Sequence, residues 1–259
     1  MGKLDGRVAV VTAGTRSIGR GIAEAFLAEG AKVVVSGRSA EKGEAAVSEM
    51  GGNNVHFIAA DATKQADIEA LVDGTVEHFG RVDIAVFNAG GVDQTSMIAD
   101  FTDEEWQYEL DFNLNQCFWG TRRALKYMLP QQYGRIMLMS SMYGKIVTPG
   151  VAGYMTTKHG IIGLAKAAAH EVGTQGITVN AICPGFVETD LFYDSGPKTV
   201  EALGLGSLDD LAAIMYAPTA IKRANTVQEV GALATLLASH EGGGFTGCAY
   251  NVDGGASPY

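Results

Sequence analysis

Cysteine is scarce in this 259-residue chain, and the little there is shows no pairing pattern. Cys117, Cys183 and Cys248 stand far apart with no CxxC spacing. That argues against a disulfide framework, fits a reducing compartment, and makes each a candidate small core residue. Basic charge is short as well: 19 Lys and Arg face 29 Asp and Glu, for a formal net charge of −10. Nucleic acid and anionic membrane both call for a basic face, so neither is expected as a partner. No apolar run approaches the ~20 residues of a membrane helix, and the chain does not open on a basic stretch followed by an apolar one. A cytoplasmic protein is therefore expected. The five histidines show no ligand spacing, so no metal is expected; His159 and His170 read as packing or solvent-facing residues. No low-complexity tract, linker or short repeat divides the chain.

What is present is apolar and rhythmic. An apolar fraction of 47% suffices for a sizeable core. Short runs rich in valine and isoleucine (Val8–Thr12, Lys32–Ser36, Val55–Ala59, Ile84–Asn88, Arg135–Ser140, Thr178–Cys183 and Ala249–Val252) alternate with helical stretches. The runs lack polar alternation, as strands buried on both faces of a parallel sheet do. Gly30 and Gly80 sit where helix C-caps belong, and Thr102-x-x-Glu105 and Thr226-x-x-Glu229 read as capping boxes. Alternating strand and helix implies right-handed βαβ units. The predicted fold is α/β: a Rossmann-type, doubly wound, seven-stranded parallel sheet with helices on both faces, in one domain spanning residues 1–259. The stretch from about 185 to 223, with its prolines and glycines, reads as irregular and too long for an ordinary connection; a substrate lid is expected there.

The first strand runs into Val11-Thr12-Ala13-Gly14-Thr15-Arg16-Ser17-Ile18-Gly19 and then into an amphipathic helix. A helix start reached through a tight turn offers unpaired N–H groups and a positive dipole end, which suits a pyrophosphate. Glycine is wanted where the backbone turns sharply or approaches the ligand. Here Gly14 and Gly19 remain, while Ala13 and Ser17 stand at two positions where such turns usually carry glycine.

Together with motifs downstream, this turn resembles the classical short-chain dehydrogenase/reductase family over nearly the whole chain. The family's Thr-Gly-x-x-x-Gly-x-Gly turn appears as Thr12 to Gly19 with two glycines replaced, and its Asn-Asn-Ala-Gly segment as Phe87-Asn88-Ala89-Gly90. Its catalytic tetrad falls on Asn113, Ser141, Tyr154 and Lys158, with the Tyr-x-x-x-Lys spacing. The resemblance implies dinucleotide contacts from Thr12, Gly14, Thr15, Arg16, Ser17, Ile18 and Gly19 in the turn. Further contacts are implied from Asp61 and Ala62 on the adenine side, and from Asn88, Ala89 and Gly90. Pro184, Gly185, Val187 and Thr189 would complete the cradle, with Tyr154 and Lys158 shared between cofactor and chemistry.

The chemistry accounts for the residue types. A hydride moved to a carbonyl carbon leaves an alkoxide that needs a proton, and a tyrosine with an ordinary pKa near 10 exchanges one poorly at neutral pH. Lys158 lies on the same helix face as Tyr154 and is expected to lower that pKa. Ser141 would polarise the carbonyl, and Asn113 would hold a relay water to Lys158. Met137, Met139 and Met155 read as core, whereas Met142 is expected to face substrate.

At the end of strand two stands Ser36-Gly37-Arg38-Ser39, without the carboxylate that would bind the ribose hydroxyls of NAD. Arg38, with Arg16 in the turn, points to NADP(H), with NAD(H) as the alternative. Ile177 to Thr189 resembles aromatic polyketide ketoreductases, as does the Gly254-Gly255 tail ending in Tyr259; the same segment also looks like 3-oxoacyl-carrier-protein reductases and small alcohol dehydrogenases. The expected partner is a free, mostly apolar ketone or secondary alcohol, held by Met142, Tyr143, Val151, Phe186, Leu191, Phe192 and Tyr193. A thioester on a carrier protein, docked at Arg122, Arg123 and Lys126, and a non-catalytic NADP(H) sensor are the alternatives. Family members resemble dimers of dimers, and the segments Trp119–Leu129 and Tyr154–Glu171 carry small and apolar residues beyond what a sheet can cover, so a homotetramer is expected.

Overall fold

Seven valine- and isoleucine-rich runs form one fully parallel sheet in the order β3-β2-β1-β4-β5-β6-β7. The computed structural model describes residues 2–93 and 95–257, without the side chains of Leu191, Ser195, Lys198, Thr199, Ala202 and Leu203. The strands are β1 Val8–Val11, β2 Lys32–Gly37, β3 Val55–Ala59, β4 Ile84–Phe87, β5 Gly134–Met139, β6 Ile177–Pro184 and β7 Ala249–Val252. All seven predicted strands are present, within a residue or two at each end. The parallel, doubly wound arrangement follows from the same physics: helices cover both faces, so no strand needs a polar side.

Alternate residues of one strand feed two cores. Ala9 and Val11 of β1 pack with Ile22, Phe26, Val230 and Leu237 from helices α1 (Ser17–Ala28) and α9 (Val227–Ala238). Val10 faces the opposite layer, where Leu71, Cys117, Met128 and Ile161 come from α3 (Gln65–Phe79), α5 (Gln116–Gln131) and α6 (Ala152–Val172). Phe26 and Phe87 are fully buried, each contributing on the order of 1.5–3 kcal/mol. Both predicted capping boxes form, on α4 (Asp103–Glu109) and on α9. The remaining β2–β3 crossover is α2 (Ala40–Met50).

At the amino end of the sheet, Asp83 is fully buried. Its carboxylate accepts from the Val8 amide at 3.0 Å and from Arg7 and Arg81 at 3.2 and 2.6 Å. This pins β1 to β4 at the end remote from the loops that follow β1, β4, β5 and β6.

The stretch read as irregular is mostly helical: α7 covers Asp190–Leu203 and α8 covers Leu208–Tyr216. Pro197 sits inside α7, which is why composition alone pointed away from a helix there. Cys117 and Cys183 are buried as expected, but Cys248 is exposed, because it lies in the turn leading to β7 rather than in the sheet. Among the described residues no helix is long and apolar enough to cross a membrane. Tyr259 lies outside the described residues.

Candidate active site

The loops after β1, β4, β5 and β6 meet at the carboxyl edge of the sheet, and the candidate residues meet there with them. In the first turn, Ala13 and Ser17 adopt left-handed backbone, with φ of +50° and +53°. The chain therefore keeps the conformations that glycine would adopt freely, at a cost of about 1 kcal/mol each. The two surviving glycines have no such latitude. A Cβ at Gly19 would lie 2.3 Å from the Ala13 carbonyl and 2.6 Å from Asn88 Nδ2, and one at Gly14 would lie 2.8 Å from Val35. Ser17 Oγ, at the start of α1, is buried and has no hydrogen-bond partner. A phosphate oxygen at that helix start would supply one, so the turn fits a dinucleotide. Thr12 Oγ1 accepts from the amides of Asn88 and Ala89 at 2.7 and 2.9 Å, tying the turn to the loop after β4.

Toward the expected adenine side, Asp61 accepts from the amide and hydroxyl of Thr63. Burial pushes its carboxyl up, but those hydrogen bonds and the charges of Lys64 and Arg38 outweigh it and hold it below the usual range. Arg38 is exposed at the end of β2. Arg16 is engaged elsewhere: it reaches Asp194 of α7 at 3.1 Å, linking the turn to the predicted lid. The two arginines expected to converge thus do not share a partner in the protein itself.

Ser141 follows β5 and caps a single 3-10 turn, its Oγ accepting from Tyr143 N at 3.2 Å. That turn is clamped to α6 by Ser140 Oγ, which donates to the Lys158 carbonyl at 2.8 Å. Tyr154 lies in the first turn of α6, edge-on to Tyr143 with ring centroids 6.5 Å apart. Lys158, one turn further, is 2% exposed. Its Nζ donates to the Met139 carbonyl at 2.8 Å and sits 5.3 Å from the Tyr154 ring centroid. Asn113, fully buried, lies in a π-helical turn, Leu110–Asn115, between α4 and α5. Its Oδ1 accepts from Gly91 N at 3.0 Å and its Nδ2 donates to Gly91 O at 3.1 Å. A Cβ at Gly90 would lie 2.5 Å from Asn113 Oδ1 and 3.2 Å from Lys158 Nζ, so both polar ends converge on that glycine. All four expected tetrad residues therefore come together.

The electrostatics differ from the simple expectation. Burial pushes the Tyr154 phenol up to about 12, although its hydrogen bond with Ser141 works the other way. Burial likewise brings Lys158 down to about 8. Lys158 points at the Met139 carbonyl, and desolvation of the phenol is the largest cause of the Tyr154 shift.

Met142 and Phe186 are buried, Tyr143 and Val151 half-buried. Phe186 stacks edge-on with Phe192 at 5.1 Å. Tyr193 is 52% exposed and its hydroxyl donates to Glu188, so it stands at a rim rather than in a wall. The Leu191 side chain lies outside the described residues. Pro184 ends β6, Gly185 N donates to Val252 O at 3.0 Å, Val187 is buried, and Thr189 precedes α7 as its N-cap. Met155 is half-buried, and His159 is exposed with Nδ1 2.9 Å from the Met155 carbonyl.

One residue escaped the sequence reading. Glu109, the last residue of α4, is 1% exposed, and its Oε2 accepts from Asn113 Nδ2 at 2.7 Å. The available signal was its place one helical turn before Asn113.

Comparison with known proteins identifies the family. Residues 7–199 match the family model described as short chain dehydrogenase. The chain is 36% identical over 251 residues to 3-oxoacyl-acyl-carrier-protein reductase FabG of Escherichia coli, covering 97% of each. It is 35% identical over 254 residues to a D-beta-hydroxybutyrate dehydrogenase of Cupriavidus necator, covering 97% of this chain and 98% of that one. Among solved structures, an actinorhodin polyketide ketoreductase crystallised with NADPH superposes with a TM-score of 0.92 at 33% identity over the full length of both chains. With the turn, the sheet order and these relatives in agreement, the chain belongs to the short chain dehydrogenase family.

Proposed function

We propose that this oxidoreductase interconverts a free, mostly apolar ketone and its secondary alcohol, using NADP(H) in preference to NAD(H). The observation that carries the reading is the convergence of Ser141, Tyr154, Lys158 and Asn113 beside a turn suited to a pyrophosphate. A bound nicotinamide dinucleotide supplies the hydride. The protein's own residues do the rest. The Tyr154 hydroxyl donates a proton to the carbonyl oxygen during reduction and accepts it back during oxidation. A phenol held near 12 is fully protonated at neutral pH, which suits the reductive direction. Ser141 hydrogen-bonds the same oxygen and stabilises charge as it develops. Lys158 holds a positive charge beside the phenol, and Asn113 fixes the Gly90–Gly91 backbone against it.

The turn residues Thr12, Gly14, Thr15, Arg16, Ser17, Ile18 and Gly19 would hold the pyrophosphate, with Asp61 and Ala62 toward the adenine. Asn88, Ala89, Gly90, Pro184, Gly185, Val187 and Thr189 would line the nicotinamide end. Arg38 at the end of β2, in a Ser36-Gly37-Arg38-Ser39 segment without a carboxylate, favours a 2′-phosphate. Met142, Tyr143, Val151, Phe186, Leu191 and Phe192 would form the pocket, and α7 and α8 the lid. A free substrate is favoured over a carrier protein because Arg122 and Arg123 are already engaged by Glu69 and Asp73, at 2.6 and 2.5 Å. An acidic partner would find little free basic surface there.

The test is NADPH consumption over a panel of ketones, with Tyr154→Phe alongside. Tyr154→Phe should keep the dinucleotide dissociation constant and lose several orders of magnitude in turnover. Activity within about tenfold of wild type would refute the assignment of Tyr154 as acid/base.

A further inference from the structure

A carboxylate buried under a reaction centre needs a reason, because an ionised group is costly to desolvate unless its lone pairs are satisfied. Glu109 satisfies both of its oxygens from the site. Oε1 accepts from the Asp93 amide at 3.1 Å and Oε2 accepts from Asn113 Nδ2 at 2.7 Å. Asn113 also engages Gly91, donating to its carbonyl and accepting from its N–H, and donates to the Glu109 backbone carbonyl at 3.3 Å. One carboxylate thus closes a chain of contacts running from the π-helical turn to the Gly90–Asp93 loop.

The room for it comes from α6. A Cβ at Gly153, the residue before Tyr154, would lie 3.0 Å from Glu109 Cγ and 3.2 Å from its Cβ. Any larger residue at 153 would crowd the carboxylate stem.

We propose that Glu109 is a positioning residue of this site: seated in the space Gly153 leaves, its carboxylate holds Asn113 against the Gly90–Gly91 backbone and keeps a fixed negative charge beside Lys158 and Tyr154. The claim concerning the reaction rests on the tetrad reading above. Both oxygens face donors, so the chemistry calls for a carboxylate. In a glutamine one oxygen becomes an NH2 group facing either an amide N–H or Asn113 Nδ2. The charge argument is equally specific. Of the groups acting on Lys158, Cys117 of α5 and Cys183 of β6 are thiols whose pKa values burial raises, leaving Glu109 as the carboxylate. Tyr154 feels Glu109 and the phenol of Tyr143, while Asp93, Arg38 and Asp61 act, with Glu109, on the neighbouring Tyr108. Glu109 favours the protonated forms of both Lys158 and Tyr154, so its loss should lower both pKa values.

The experiment is Glu109→Gln, with Glu109→Asp as the variant that keeps the charge. Glu109→Gln should leave the NADPH dissociation constant, read by fluorescence without substrate, within about twofold, and lower kcat about tenfold or more. It should also move the ascending limb of kcat against pH in alcohol oxidation toward acid by roughly one pH unit. Glu109→Asp should lose rate but keep the limb in place. A kcat loss with an unmoved limb would reduce Glu109 to packing and overturn the proposal, as would a kcat within twofold of wild type. If Tyr154→Phe stays active, the acid/base reading fails separately. A cycle that needs no turnover then decides: Lys158→Met should raise Tm more in the Glu109→Gln background than in wild type, and additive Tm changes would overturn the proposal.

Discussion

Replacing Lys158 with methionine should make the protein more stable while disabling it. The ammonium is 2% exposed and its pKa falls from an ordinary 10.5 to about 8, with burial as the largest cause. At ~1.36 kcal/mol per pH unit, the folded protein bears a penalty of about 3 kcal/mol for carrying that charge at pH 7. Methionine has nearly the same length and no charge. Its drawback is the Met139 carbonyl, which loses a 2.8 Å donor, worth about 1 kcal/mol. The net gain is about 2 kcal/mol, or roughly 5 °C in Tm for a chain of this size. The pH dependence is a sharper check. A folded pKa below the unfolded one means that the wild-type penalty is complete below about 8 and fades as pH rises toward 10.5. By pH 9.5 the advantage of Lys158→Met should shrink to about half a kcal/mol. Thermal unfolding at pH 7 and 9.5, at fixed protein concentration, reads both numbers. A variant less stable than wild type at pH 7, or a Tm difference that ignores pH, would refute the reasoning.

Replacing Gly37 with Asp and Arg38 with Ile should shift preference toward NAD by roughly two to four orders of magnitude, since a new carboxylate accepts from the ribose hydroxyls and a cation is lost; the ratio of kcat/KM for the two cofactors checks it. Ser17→Gly should weaken cofactor binding by the loss of its hydroxyl's bond to a phosphate oxygen and leave Tm level or higher, because glycine relaxes a φ of +53°. Gly19→Ala should instead cost several kcal/mol and cofactor binding, its Cβ falling 2.3 Å from a carbonyl oxygen; denaturation and fluorescence titration separate the two variants. Light scattering at micromolar concentration should give the mass of a homotetramer, with Phe118 and Leu129 of α5, 45% and 36% exposed in one chain, covered in the assembly; a monomeric mass would refute this.

The sheet was legible in the sequence because a strand buried on both faces leaves an unbroken run of branched apolar residues, as Val33, Val34 and Val35 do. The coming together of Asn113, Ser141, Tyr154 and Lys158 was legible because Tyr154 and Lys158 keep helical spacing and the loops after β4, β5 and β6 carry recognisable short motifs. What escaped depends on three dimensions. Glu109 follows Asp103, Glu104 and Glu105, so a local reading places it on a solvated acidic helix. It is buried where Gly153 leaves room for it, a residue that no spacing connects to it. The link between Arg16 and Asp194 joins residues 178 positions apart. The upward shift of Tyr154 reflects how much water its neighbours remove, which residue identity does not encode. In the 185–223 stretch, α7 was hidden by Pro197, whose ring argues against a helix locally and is tolerated there.

The sheet order also governs how the chain reaches this state. β1 has β2 and β4 as neighbours, so Val11 must find Val86 across all of β2, β3 and the helices between them. Closing a loop of that length costs about 4 kcal/mol in chain entropy before any contact rewards it. Folding is therefore governed by a distant encounter, with β1–β2–β3 able to assemble first as a local unit and the rest docking later. Every residue of β6 is buried in the finished sheet, yet its outer edge stays open until Ala249–Val252 emerge and pair with Ala181–Pro184. During synthesis that bare apolar edge is a template for pairing with other chains. The last strand made is thus the one that guards the nascent protein against aggregation.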